Sequence, residues 1–452
     1  MIDGSSGMPI ALLGLGLGAW LLLTLYLAPR LHSLGGLLYI LLSARYITTF
    51  FHDYTTKAVF AGQSINSFLT LGLTALCLLI TWRDLLRYKV FLPVFAMILA
   101  LLMSGFWNME LTGTVNALIR QLLFLSLMIL VAKAVDAEAN DGSTSRAMLA
   151  AFVVPILYQL MSIVLRLGKA SESDGSVSFM GGYVHEGVFS TLLLTALVIA
   201  ALAAGLSWRR RSIYVAVIFA ALVFANYRTA VLSGVPILLA HFIFGSATVA
   251  RARLGNYVRS GAFLLALIIG FTVAGLFSQR MADLGTLLTS GGGLIRPPME
   301  LTPDDRSLLS GRILIWNDYF FTTLRSDISH LVFGFGPDSW QRAFALYAHN
   351  VYISYIYELG FVGALIFAYM QLHFIVLAVL ARPDKRWHLL GAHISYGLLC
   401  LGTMPTFTIE GVILYAVICG YTVYYYLYQR VPAKRVMSGS RLAPLRHGFA
   451  QP

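Results

Sequence analysis

His349 stands at the junction of two unlike stretches. A polar, mixed-charge segment, residues 279–348, ends in Tyr347-Ala348-His349-Asn350 and passes at once into the apolar run VYISYIYELGFVGALIFAYM. A side chain at that boundary can meet a lipid-borne group on one side and a water-soluble one on the other. Imidazole titrates near neutrality, so its neutral form can take a proton from a hydroxyl as that hydroxyl attacks. Arg45, Arg120, Arg228 and Arg312 supply guanidiniums whose planar forks suit phosphate oxygens. A lipid pyrophosphate would leave as a stable anion. One base and a cationic clamp would then suffice, the clamp stabilising charge on the departing phosphate. No metal is expected. The adjacent acidic pair of the long polar segment, Asp304-Asp305, follows Thr302-Pro303 and reads as a helix cap. His185 is a second imidazole candidate, in a loop rich in Gly and Ser. Asn350 and Trp316 are candidate contacts to an acceptor or sugar. Trp340, Tyr347 and neighbouring tyrosines could stack on sugars or form an interfacial aromatic belt. His241, His373 and His393 are expected at helix interfaces and His330 at the surface.

The elements that must position these groups are membrane spans. The chain has 452 residues, 58% hydrophobic and 12% charged, with mean hydropathy +0.77. Soluble domains carry about 25% charged residues. Apolar runs of the length needed to cross about 30 Å of hydrocarbon recur throughout. They are continuous rather than alternating, which excludes a β-barrel. The fold class expected is an all-α polytopic membrane protein with 12–13 transmembrane helices and one large, partly helical periplasmic loop. Thirteen candidate spans are read at 9–27, 34–51, 64–82, 90–107, 114–132, 147–165, 187–206, 213–225, 229–246, 261–278, 359–380, 389–407 and 411–427. The second is interrupted by Arg45 and the eighth is short. The organisation is an N-terminal bundle (1–278), a periplasmic loop with amphipathic helices (279–348), C-terminal spans (349–427) and a basic cytoplasmic tail (428–452). No Lys or Arg precedes the first apolar run, so a cleavable signal is not expected there. Cys77, Cys400 and Cys419 lie inside apolar runs and read as small buried hydrophobes.

Charge gives the orientation. The net charge of +12 comes largely from short loops beside spans, the mark of membrane orientation rather than of nucleic-acid binding. Arg209-Arg210-Arg211, the stretch 251–259, Arg382 to Arg386 and the C-terminal tail fall on one side, which is read as cytoplasmic. The loop 279–348, the Gly-rich stretch 168–185 (read as a mobile loop) and the corner Asn226-Tyr227-Arg228 then lie outside. Arg45 and Arg120 sit roughly 9 Å below the outer face, at 1.5 Å of rise per residue. Burying an arginine costs about 2.5–3.5 kcal/mol even on lenient scales. Such residues either bind a polyanionic headgroup or pair with carboxylates such as Asp53 or Glu110. Within the long loop, Thr302 to Asp305 starts a helix, SLLSGRILIWNDYFFTTL continues it, Phe333 to Asp338 turns, and SWQRAFALYA forms a second short helix before His349. Gly291-Gly292-Gly293 and Pro297-Pro298 read as a flexible tip.

In order along the chain come Phe179-Met180-Gly181-Gly182, Tyr227-Arg228-Thr229-Ala230, Ser310-Gly311-Arg312 with Trp316, Phe333-Gly334-Phe335-Gly336, and His349-Asn350 with Gly360 and Gly363. This ordered set around a large outer loop resembles the O-antigen ligase and O-antigen polymerase family of polytopic glycosyltransferases, over roughly 180–380. The resemblance implies His349 as catalytic base, with Arg228 and Arg312 holding undecaprenyl pyrophosphate. It implies no cofactor, metal or nucleotide sugar, and inverting transfer of a preassembled glycan to an acceptor hydroxyl at the periplasmic face of a bacterial inner membrane. Partners implied are the undecaprenyl-pyrophosphate-linked glycan donor, a glycan or lipid A core acceptor, membrane lipids and a chain-length regulator. The family commonly has 12 spans with both ends cytoplasmic, against 13 here. No basic platform for a phosphorylated lipid A core is evident, which favours a polymerase over a ligase. A transporter of lipid-linked oligosaccharide would use the same arginines without needing a base, and a non-catalytic export scaffold would need neither.

Overall fold

A computed structural model describes residues 8–30, 33–60, 62–86, 89–137, 142–170, 177–245 and 294–427. The expected span 261–278, the glycine tip 291–293 and the basic tail 428–452 lie outside the described residues. The first eleven helices are α1 (Ile10–Leu27), α2 (Leu34–Phe50), α3 (His52–Thr55), α4 (Ile65–Leu85), α5 (Leu92–Trp107), α6 (Leu111–Ala137), α7 (Ser143–Ala150), α8 (Val153–Val164), α9 (Glu186–Leu202), α10 (Trp208–Phe224) and α11 (Arg228–Leu239). After the undescribed segment come α12 (Pro303–Ser307), α13 (Arg312–Leu324), α14 (Ile328–Phe333), α15 (Trp340–Ala343), α16 (Val351–Val379), α17 (Pro383–Gly402) and α18 (Ile409–Leu427). The only sheet among the described residues is two small antiparallel pairs, 58–60 with 63–64 and 169–170 with 177–178. The flanks of the Gly-rich stretch are thus paired backbone rather than free loop; residues 171–176 lie outside the described ones.

Among the described residues, seven helices are long and apolar enough to cross a membrane: Ile10–Leu27, Ile65–Leu85, Lys89–Trp107, Leu111–Ala137, Ser143–Val164, Val351–Val379 and Ile409–Leu427. Three apolar helices are shorter, Leu34–Phe50, Glu186–Leu202 and Arg228–Phe244. The chain is an all-α polytopic membrane protein. The expected run 213–225 is a helix that starts earlier, at Trp208, because Ser207 caps it, its side chain accepting from the Arg210 amide. The run 389–407 is displaced to Pro383–Gly402, with proline at the helix start. The run 359–380 begins eight residues sooner, at Val351.

α18 is the axis of the bundle. It is almost wholly buried and packs on α6, α9, α16 and α17. The described part of the long polar segment folds as a small cap on the start of α16. Its core is Tyr319, Ala348 and Tyr357, with Phe335, Trp340 and Phe344 packed around them.

Two expectations for this cap are corrected. The helix expected over 307–324 is two pieces. Thr302 and Asp305 form a reciprocal capping box for α12, but Gly311 at φ 83° breaks the chain before α13 begins. The helix expected over 339–348 stops at Ala343. Side chains of α13 claim the backbone beyond it: the Tyr319 hydroxyl donates to the Leu346 carbonyl at 2.9 Å, and Trp316 Nε1 to the Ala348 carbonyl at 2.8 Å. The glycine cluster 333–338 does turn, with positive φ at Gly334, Gly336 and Asp338. It docks onto a break in α16 at Gly360, whose φ of 67° is incompatible with helix. That break frees carbonyls of the preceding turn. The amides of Phe335 and Gly336 donate to the Tyr357 and Glu358 carbonyls, both at 2.9 Å.

Candidate functional site

His349 itself is in the left-handed region, at φ 50°. A non-glycine residue held there costs roughly 1–3 kcal/mol and persists only where its surroundings impose it. Both flanks do so. On one side the Ala348 carbonyl is taken by Trp316 Nε1. On the other, Asn350 caps α16, its Oδ1 accepting from the amides of Tyr352 at 2.9 Å and Ile353 at 3.2 Å. The Tyr347 ring lies against the imidazole, centroids 3.9 Å apart. Trp316 and Asn350, expected as substrate contacts, have these polar atoms engaged in fixing the His349 turn. Nδ1 of His349 is buried without a hydrogen-bond partner. Burial, then the charge of Arg312, then His185 push the imidazole down to about 4. It is therefore neutral at neutral pH.

The residues expected around His349 come from three separate parts of the chain. Arg312 is the first residue of α13. A Cβ placed on Gly402, at the end of α17, would fall 3.4 Å from Arg312 Nη1 and 3.1 Å from Thr229 Oγ1. Arg312 and the start of α11, where Arg228 is the first helical residue, thus both flank Gly402. Gly402 was not singled out in the sequence; its lack of a side chain is what admits that approach. His185 sits at the start of α9, its Nδ1 accepting from the Gly187 amide at 3.0 Å. In the neutral ring the proton is then on Nε2, which lies 3.6 Å from Glu186 Oε1. Burial and the nearby Tyr227 push the Tyr347 hydroxyl up to about 12, so it stays protonated.

Beside this cluster is a pocket of about 230 Å³, lined by His185, Thr191, Trp340, Tyr347, Thr403 and Phe407 among others. Among the described residues no Lys, Arg, Asp or Glu lines it. Phe407 also borders a second, much smaller cavity of about 30 Å³, lined by Arg120, Gln121, Tyr355, Glu358 and Thr406 among others.

Arg45 and Arg120 are placed differently from the other two. Arg45, 8% exposed, pairs with Glu410 at 3.1 Å, and Tyr183 donates to the same carboxylate oxygen at 3.0 Å. Arg120 pairs with Asp338 at 3.3 Å and stands over the Phe407 ring at 5.4 Å. The expected carboxylates were Asp53 and Glu110; Glu110 instead meets Arg342. Glu358, also not foreseen, is the buried hub beneath the cap. Its carboxylate accepts from the Asp338 amide at 3.0 Å and the Ser354 hydroxyl at 3.1 Å, and its carbonyl from Ser104 at 2.7 Å. His241, His373 and His393 are packed between helices, as expected, and bond Ser212, the Val90 carbonyl and Thr422 respectively. Among the described residues no group of three or more His, Cys, Asp or Glu could hold a metal ion. No protein-family model matches the chain, and no curated protein matches it.

Proposed function

We propose that the protein is a metal-independent inverting glycosyltransferase of the O-antigen ligase and polymerase type. On this reading it works at the periplasmic face of a bacterial inner membrane, with 12–13 spans, and transfers a glycan from undecaprenyl pyrophosphate to an acceptor hydroxyl. The observation that carries it is His349: an imidazole held in a costly backbone conformation, neutral, with an unpartnered nitrogen, beside Arg312 and an aromatic pocket. Strain of that kind, gripped from both sides, clusters at active sites.

The roles follow from the chemistry. Arg312, with Arg228 at the neighbouring helix start, receives the pyrophosphate and stabilises its charge as the glycosidic C–O bond breaks. His349 takes the proton of the acceptor hydroxyl as its oxygen bonds to the anomeric carbon. The pocket between Trp340, Tyr347 and Phe407 offers aromatic faces and threonine hydroxyls, with no Lys, Arg, Asp or Glu among its described residues, which suits an uncharged sugar. An uncharged acceptor favours a polymerase extending a lipid-linked repeat over a ligase acting on a phosphorylated lipid A core.

The test is transfer by the purified chain from a lipid-pyrophosphate-linked oligosaccharide. His349→Ala should abolish transfer and leave donor binding nearly intact. Full transfer by that variant would refute His349 as the base; a variant that loses transbilayer movement of the donor with transfer untouched would favour a transporter instead.

A further inference from the structure

At the end of the bundle remote from the cap, a second polar cluster is buried between α10, α11 and α17. After Leu239, α11 continues as a π-helical turn, Ala240–Phe244, which carries His241. The His241 ring stacks on Trp208 and meets His388 edge-on, centroids 6.3 and 5.9 Å apart. Hydrogen bonding here is incomplete. His388 is 4% exposed, and neither of its ring nitrogens has a partner. Trp208 Nε1, Arg211 Nε and His241 Nδ1 are likewise buried without one. Buried donors in folded proteins are almost always satisfied, so several unpartnered ones in one place point to an acceptor that binds there.

The orphaned atoms converge. A Cβ placed on Gly245 would lie 3.2 Å from Trp208 Nε1 and 3.5 Å from His388 Nε2. Both nitrogens therefore border the same face of Gly245, the side on which an acceptor would meet them together. Indole N–H can only donate, which calls for an acceptor. Arg211 and Lys385 act electrostatically on both imidazoles, which repels a cation and attracts an anion. Asp384 also faces these two cations, but it is paired with Arg382 at 3.1 Å. Phe244 and Trp387 stack at the rim, with Trp387 45% exposed, as aromatics do where a bundle meets lipid headgroups. Basic pockets between helices at such a rim take lipid phosphates.

We propose that Trp208, His388, Arg211 and Lys385 form a binding site for a phosphate group beside Gly245, at the end of the bundle opposite the candidate active site. The phosphate belongs to an anionic lipid headgroup or to free phosphate. The full chain is reconstituted in nanodiscs of phosphatidylcholine, alone, with added phosphatidylglycerol, or with added inorganic phosphate. Retained lipid is read by native mass spectrometry and thermal stability in parallel. Wild type should retain phosphatidylglycerol and gain stability from it; a gain from inorganic phosphate alone would assign the free anion. Trp208→Phe keeps the ring stack and removes the donor, while Gly245→Ala fills the spot at a helical φ. Each should weaken the response roughly tenfold or more, as expected for a lost charge-assisted hydrogen bond. The proposal is overturned if neither phosphate source is preferred over phosphatidylcholine, or if both variants bind phosphate like wild type.

Discussion

Trp316→Phe isolates the device that holds His349 in place. Phenylalanine keeps an aromatic ring in the packing and deletes only the Nε1 hydrogen bond to the Ala348 carbonyl, 2.8 Å long. Ala348 is fully buried, so its carbonyl loses its partner without gaining water. That costs about 1–3 kcal/mol. The left-handed conformation of the next residue costs a similar amount, roughly 1–3 kcal/mol, so the lost bond is comparable with the strain it offsets. The turn should then relax toward ordinary backbone geometry and carry the imidazole off its axis. At 1.4 kcal/mol per factor of ten, the competent turn is depleted about fivefold to a hundredfold. The assay is single-turnover transfer at saturating donor, with donor affinity measured separately. The rate should drop by that factor while donor affinity, which rests on Arg312 and Arg228 in the proposed function, stays within about twofold. On the residual background rate left after His349→Ala, the same substitution should add no further loss, because the group it positions is gone. A transfer rate unchanged in Trp316→Phe, or an equal further loss in the double variant, would refute the claim that Trp316 acts through His349.

Three other outcomes are expected. Because His349 is pushed down to about 4 by burial first and Arg312 second, the neutral base persists through mildly acidic pH. The kcat/KM profile should fall only as pH drops toward 4, and Arg312→Gln should shift that limb upward; a limb near 6.5 in wild type contradicts the burial of the ring. The same lowered value makes the group's stability contribution complete above its unfolded pKa near 6.5 and lost as pH falls to about 4. Glu358→Ala strips the Asp338 amide and the Ser354 hydroxyl of their buried acceptor, and should cost about 2–4 kcal/mol in denaturation with the cap loosened first, read by hydrogen exchange at 334–338. Gly402→Val pushes side-chain carbon against Thr229 and Arg312, so donor affinity should weaken at least tenfold, read by donor binding to the purified variant.

The sequence by itself determined what depends on neighbours along the chain. Continuous apolar runs demand helices in lipid, because backbone groups there must bond within their own segment. Thr302 with Asp305 and the glycines of 333–338 fix local geometry through side-chain caps and positive φ, and both are found where the residues predicted them. The boundary position of His349 was equally legible. Partners distant in the chain were not. Arg45 meets Glu410 and Arg120 meets Asp338 across hundreds of residues, whereas the nearer carboxylates offered as partners were Asp53 and Glu110. Spacing along a chain says which face a side chain takes, not which helix will face it. The end of α15 at Ala343 and the break in α16 at Gly360 were decided the same way. Tyr319 and Trp316 take carbonyls near His349, while Phe335 and Gly336 use those that the break leaves open. Only packing of separate segments could bring such donors and acceptors together, because each bond joins groups that no local propensity relates.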